Sequence, residues 1–381
     1  MSANELASDY GCVENIIGTC TDTATTNLGN KSGAVTILED EWGHPLLKFE
    51  CQRHVRELHV KFYAISISGR KTTSVGDKLF TKIRDNWDKK IAGKIDLQKL
   101  CLFDWDQDDF LVQKANESLT LMNKLLDSDS DMFKRGDYKN LAMLVHVYLT
   151  GDTHKFHFHK PIKTSHARFL QRGIYYLTAE LLSEQMTFLS AKEYQEIAYM
   201  AEFVALFYAP WFMKSSQSSD SPLNDLDTIE DIRKLRDTSS DDPRTVIAAE
   251  RCLESIYRHS KYLHPQLVVM ALASDKISVG EKKFIAEALM AVKEEFDVKK
   301  VDTDYTKLDI MKIWPDINPR PSLAAFVTKD SWLMFHLLDL MDDPENIEWL
   351  SQDVKNWRGP GYERFVHYVR NVDVVNDCSE R

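Results

Sequence analysis

Asp22, Cys51, His54 and Glu380 are the residues of this 381-residue chain whose types and spacing could do chemistry together. Asp22 stands in Cys20-Thr-Asp-Thr-Ala-Thr-Thr-Asn27, just after a short apolar run through Ile16 and Ile17. Cys51-Gln-Arg-His54 begins twenty-nine residues further on, and Glu380 closes the stretch Asn376-Asp-Cys-Ser-Glu-Arg381. Carboxylate oxygens suit Mg²⁺, which keeps several waters and takes few protein ligands. Two such ions activate the attacking oxygen and stabilise the leaving one during in-line phosphoryl transfer. An Asp in a Thr/Asn-rich turn has a plainer use as well, capping the helix that follows. Cys51 and His54, at i and i+3 on one helix face, are half of a zinc set or a buried structural pair.

The elements that must position these residues are readable at the start of the chain. Asn15–Cys20 and Leu46–Glu50 read as short buried strands, Gly33–Glu41 as a helix, and His44-Pro45 as a turn. Cys51–Ile67 reads as a second helix, because Val55, Leu58, Phe62 and Ile65 recur at helical spacing. Strand, helix, strand, helix in this order demands a parallel pair with a crossover. Two strands are few for a sheet, so further partners are expected from outside this stretch.

From about residue 75 the periodicity is helical nearly throughout, with segments expected over 76–90, 110–126, 137–150, 164–189, 191–209, 226–236, 243–261, 264–274, 278–296, 328–342 and 361–371. Pro161 and Pro210 should bound helices, since proline lacks the N–H and its ring clashes with the preceding turn. Ser215–Asp227, with five Ser, one Pro and three Asp, reads as a mobile loop. Ser278 and Glu281 are placed to form a capping box.

Composition narrows the class. No apolar run approaches a membrane span, and the acidic, polar first residues are not those of a secretory signal. Six scattered cysteines without a Cys-x-x-Cys pair suit reduced thiols in a nuclear or cytoplasmic protein. The net charge of −11 argues against nucleic-acid binding by the whole surface. The charge is uneven, however. Residues 51–94 hold eleven Lys/Arg against four Asp/Glu, and residues 153–179 hold five Lys/Arg and four His with no acid. Such stripes fit either a nucleic-acid groove or solvated helix faces.

Several motifs resemble those of the hAT-type DDE transposases, which have an RNase H-like core. Thr21-Asp-Thr-Ala-Thr-Thr-Asn27 resembles the segment around that family's second catalytic Asp, and Cys51-Gln-Arg-His54 resembles the C/D-x-x-H motif that follows it. His166-Ala-Arg-Phe169 resembles the R-W element of the family's helical insertion, with Phe169 in place of Trp, and Ser379-Glu-Arg381 resembles the stretch that holds its third acid. The chain is also similar, over almost its whole length, to transposon-derived proteins of arthropods and other invertebrates.

The resemblance implies a mainly α protein. Residues 1–94 would form a partial RNase H-like α/β core of two to three short strands, 95–370 a large helical insertion domain, and 371–381 the start of the final core helix. It implies Asp22 and Glu380 as catalytic metal ligands for Mg²⁺ or Mn²⁺, with Cys51 and His54 supporting the core around them. Arg168, Arg172, Lys160, Lys163 and Arg53 would meet DNA, and the chain would form a homo-oligomer with neither membrane nor small-molecule substrate.

The family's first Asp lies on an earlier strand, whereas only twenty-one residues precede Asp22 and Asp9 lies in a polar stretch without a strand. Glu380 is the penultimate residue. The expectation is therefore a truncated, catalytically inactive relative. The alternative is a non-enzymatic helical interaction or oligomerisation module, in which Asp22 is only a cap.

Other motifs have simpler readings. Asp127-Ser-Asp-Ser-Asp131 lacks the Gly and the Glu that a calcium loop requires. His154, His157 and His159 alternate with Phe156 and Phe158 as in a short β-like segment, and Trp105, Trp211, Trp314 and Trp332 read as core or interface anchors.

Overall fold

The parallel pair expected from the first fifty residues forms. Strand β1 (Gly18–Thr21) runs beside β2 (Leu47–Glu50) with Gly18 opposite Leu47 and Thr21 opposite Glu50. In this computed structural model the described residues are 3–29, 33–70, 77–128, 133, 135–154, 156–161, 170–315 and 318–375. Among them β1 and β2 are the only sheet, and no helix is long and apolar enough to cross a membrane.

The chain is mainly helical. Among the described residues the helices of nine residues or more are α1 (Ala34–Trp42), α2 (Gln52–Ser68), α3 (Lys78–Asn86), α4 (Asp109–Asp127), α5 (Gly136–Thr150), α6 (Gln171–Leu181), α7 (Ala191–Phe203), α8 (Ser221–Thr238), α9 (Pro243–His259), α10 (Val279–Val292) and α11 (Pro360–Asn371). Helix α1 ends where Gly43 takes a left-handed φ of 73° and returns its N–H to the Glu39 carbonyl at 2.9 Å, a conformation that costs glycine little. His44-Pro45 then leads the chain into β2. Gly18 permits the close strand approach, since a Cβ there would lie 2.9 Å from both the Leu47 carbonyl and the Phe49 ring.

The described residues fall into two compact units, each drawn from separated stretches of chain. The first takes the residues up to Val55, Ser215–Glu230, and those from Ile256 onward; the second takes Arg56–Lys214 and Asp231–Ser255. These lines run differently from a division at residues 94 and 370.

In the first unit β2 is wholly buried, with Leu46 and Leu47 at 0% exposure and Phe49 at 1%. Two charges are buried with it. Lys48 pairs with Glu39 of α1 at 2.7 Å and donates to the Thr303 carbonyl at 3.1 Å. Glu50 faces His259, with Nδ1 3.2 Å from its carboxylate, while its carbonyl accepts from the Tyr262 hydroxyl at 2.7 Å. The run Leu267–Ala273 is fully buried in the same unit, and the Trp332 indole donates to the Leu289 carbonyl at 2.9 Å.

Ser215–Asp227 is not a loop. It forms a 3-10 turn over Ser218–Asp220 that runs into α8, and most of it is buried. Its polar groups are inside because each one named here has a partner. Ser218 donates to the Val369 carbonyl, Asp220 accepts from Ser274 at 2.6 Å and pairs with Lys276 at 2.6 Å, and Asp225 accepts from the Tyr262 N–H at 3.1 Å. A buried polar side chain is stable when so satisfied. Composition alone cannot show that.

The second unit centres on α4 to α7. Tyr63 stacks on Phe203 with ring centroids 3.8 Å apart, and the Ser118 hydroxyl donates to the Ala205 carbonyl at 2.6 Å. Pro210 does not stop the helix as expected. A π turn over Val204–Tyr208, in which the Ala209 N–H reaches the Val204 carbonyl, precedes it, and helix resumes over Ala209–Lys214. The wider turn relieves the clash that a proline ring makes in a regular α-helix.

The described residues among 153–159 form no strand; Phe156 and Phe158 instead meet edge to face at 5.0 Å. Ser278 caps α10 through the Glu281 N–H at 3.1 Å. The Glu281 carboxylate turns away from the box and accepts from Ser322 and from the Leu323 N–H, at 2.9 and 2.5 Å. Of the four tryptophans, Trp211, Trp314 and Trp332 are buried, and Trp105 is 38% exposed.

Candidate functional site

The two strands end side by side, and each delivers one of the motifs at its carboxyl end. Cys51 follows β2 directly and its N–H donates to the Thr21 carbonyl at 2.8 Å, so the last residue of β1 and the first after β2 are tied together. The side chains of the two motifs meet just beyond: Thr23 Oγ1 lies 3.5 Å from His54 Nε2. In open parallel sheets, ligands bind in the crevice beyond the carboxyl ends of the strands.

Asp22 is engaged within its own turn. Its Oδ1 accepts from the Ala24 N–H at 2.9 Å and from the Asn27 amide at 2.6 Å. The first bond is an Asx turn, in which an aspartate oxygen takes the backbone donor two residues on. It orders the entry to the short helical turn at Thr25–Leu28. Cys51 is not in a disulfide and is 1% exposed.

The other expected site residues are distributed as follows. Glu380, Arg168 and Lys163 lie outside the described residues. Arg53 is 3% exposed. In the second unit, Arg172 is 6% exposed and pairs with Glu57, whereas Lys160 is exposed and pairs with Asp88. The guanidiniums of Arg53 and Arg172 are thus used inside the protein in this structure.

Beside the strand ends stands a polar cluster that spacing alone did not reveal. Glu50, buried at the end of β2, faces His259 of α9. Next to it Lys261, also buried, donates to the Tyr305 carbonyl at 2.7 Å. Burial pushes the Lys261 ammonium below its ordinary range, with the Glu50 and Asp304 carboxylates opposing that shift. His264 stacks on Tyr305 at 4.3 Å, and burial lowers its pKa to about 4, so it is neutral at physiological pH. The signal available in the sequence was the pair of charges in Leu46-Leu-Lys-Phe-Glu50, since a charge in a wholly buried strand needs a partner.

Among the described residues no group of three or more His, Cys, Asp and Glu could hold a metal ion. Asp22 alone cannot organise two cations, so no catalytic step through Mg²⁺ is assigned to these residues. No family model, curated protein or solved structure matches this chain.

Proposed function

We propose that this chain is a transposase-like protein related to the DDE enzymes that cut and join DNA, and that by itself it does not cut. The observation that carries this reading is the meeting of two motifs at the carboxyl ends of a parallel β-α-β unit. The Asp22 turn and the Cys51-x-x-His54 helix come together there, with Thr23 3.5 Å from His54. Their order and spacing are those in which the resembling family holds its second carboxylate and supports it. In this reading Asp22 and Glu380 are the remaining carboxylates for Mg²⁺ or Mn²⁺, and the basic stretches at 51–94 and 153–179 approach DNA. One observation supports the inactivity: Asp22 Oδ1 already serves the Ala24 N–H and the Asn27 amide.

The test is a nicking assay on supercoiled DNA with Mg²⁺ or Mn²⁺, comparing the purified chain with Asp22→Ala. Equal background nicking by both is the expected result. Metal-dependent nicking that disappears in the variant would overturn the inactivity.

A second reading, a helical interaction or oligomerisation module that does not bind DNA, is favoured by the enclosure of Arg53 and Arg172. A DNA titration at rising salt separates the two. A transposase relative loses affinity linearly in log–log terms as counterions are released. An interaction module shows no binding even at low salt and a defined oligomer by light scattering.

A further inference from the structure

The second unit contains a cavity of about 580 Å³ whose lining includes six carboxylates and no lysine, arginine or histidine. Three of those carboxylates have local duties. Asp104 accepts from the Asp106 N–H, Asp108 caps α4 through Phe110, and Asp242 accepts from the Arg244 N–H and the Thr245 hydroxyl. The others are less committed. Glu180, at the end of α6, is 7% exposed and shares a hydrogen bond with the Cys101 thiol. Glu202, near the end of α7, accepts from the Gln107 amide at 2.9 Å. Neither has a cationic partner among the described residues. Arg244, the nearby guanidinium, lies over the Tyr199 ring at 4.7 Å and donates to the Ile67 carbonyl; it is not part of the lining.

A second observation points to an occupant. Tyr148 of α5 lines the same cavity and is 4% exposed, yet its hydroxyl has no hydrogen-bond partner among the described residues. The hydroxyl is not sealed from solvent, so it is free to bond whatever occupies the cavity. Burial, reinforced by Glu202 and Glu180, holds the phenol well above its ordinary range, so it stays protonated and can both donate and accept.

We propose that this cavity binds a linear aliphatic amine with two or more ammonium groups, its nitrogens on Glu180 and Glu202 and one N–H on the Tyr148 hydroxyl. Leu102, Leu111 and Leu235 in the lining supply apolar wall for the methylenes between the nitrogens. An organic cation is favoured over a metal ion on two grounds. No group of three ligands among the described residues could hold a metal, and the volume is that of a small-molecule site. Carboxylates spaced around a chamber match charges spaced along a chain.

Calorimetric titration of the full chain with spermidine tests this, at pH 8 and about 0.15 M salt so that diffuse surface attraction is screened. The expected result is saturable one-to-one binding. Glu180→Gln with Glu202→Gln should weaken it by roughly tenfold or more, because each removes a charge-assisted bond. Tyr148→Phe should weaken it several-fold, and the exposed pair Asp342→Asn with Glu345→Gln should leave it unchanged. Circular dichroism checks that the variants fold; if the double carboxylate variant does not, Tyr148→Phe decides. Wild-type affinity in the folded carboxylate variant overturns the proposal. So does unsaturable binding, wild-type affinity in Tyr148→Phe, or displacement of spermidine by millimolar MgCl₂, since each marks counterion attraction to an acidic surface.

Discussion

Asp22 shows how one side chain supports two expectations that need different tests. The sequence places it after a strand in a Thr/Asn-rich turn, and both a metal ligand and a cap fit that description. The structure shows an Asx turn, with Oδ1 accepting from the Ala24 N–H and the Asn27 amide. Asp22→Ala should therefore lower unfolding stability by about 1 kcal/mol, the usual net worth of a side-chain hydrogen bond, while Asp22→Asn keeps an oxygen for the Ala24 N–H and costs less. Equilibrium urea unfolding of both variants measures this, and a loss-free Ala variant would show that the turn holds without its aspartate. Glu180 was invisible to spacing arguments, because its environment comes from distant segments. Burial raises its pKa from 4.5 to about 7, with Glu202 adding to the rise and the Cys101 hydrogen bond opposing it. The folded protein thus holds a proton there that the unfolded chain has released. That contribution is complete below about pH 4.5 and lost as pH rises through 7, on the order of 3 kcal/mol in all. Glu180→Gln should accordingly gain stability relative to the parent between pH 5 and pH 8. A constant difference across that range would contradict the assignment.

At the scale of elements, the parallel strand pair and its crossover helix were legible because apolar runs and the Gly43-His-Pro turn are local signals. Helix existence was legible for the same reason. Two errors arose where local composition was overruled. Ser215–Asp227 looks loop-like, yet Tyr262, Ser274, Lys276 and Val369 satisfy its polar groups, so it folds and is buried. Pro210 looks like a terminator, yet a π turn carries the helix past it. The clasp at Arg70 belongs to this scale as well, since it joins the end of α2 to α3 and α7. Its guanidinium bonds Asp77, the cap of α3, at 2.8 Å, and Glu196 of α7 at 2.5 Å. The Tyr176 hydroxyl donates to the same Glu196, which is 1% exposed. Arg70→Met leaves that carboxylate buried without a cation and should cost about 3 kcal/mol. Adding Glu196→Gln should restore most of the loss, because a neutral amide tolerates the site. Thermal unfolding of the single and double variants measures the coupling, and additive losses would show that the two groups do not act as a pair.

At the scale of the whole molecule, the expected partial core over residues 1–94 lies partly in a unit built from three separated stretches. Sequence periodicity reports which segments are helices. It does not report which distant segment covers a given face, so the route of the chain between units was not legible. For β2 the covering groups are specific. The Glu50 carbonyl depends on Tyr262, the Gln52 N–H donates to the Val374 carbonyl at 2.9 Å, and Lys48 reaches the Thr303 carbonyl. All three partners lie beyond residue 94. A fragment of residues 1–94 would expose Leu46, Leu47 and Phe49 to water and leave those polar groups to solvent, and a two-stranded sheet is at best marginal alone. The fragment should therefore show no cooperative unfolding transition by circular dichroism, whereas the full chain should show one. A sharp transition in the fragment would mean that the β-α-β unit carries its own stability and that the later stretches only decorate it. The comparison matters for the functional reading too, because Thr23 and His54 meet only while that strand pair is held.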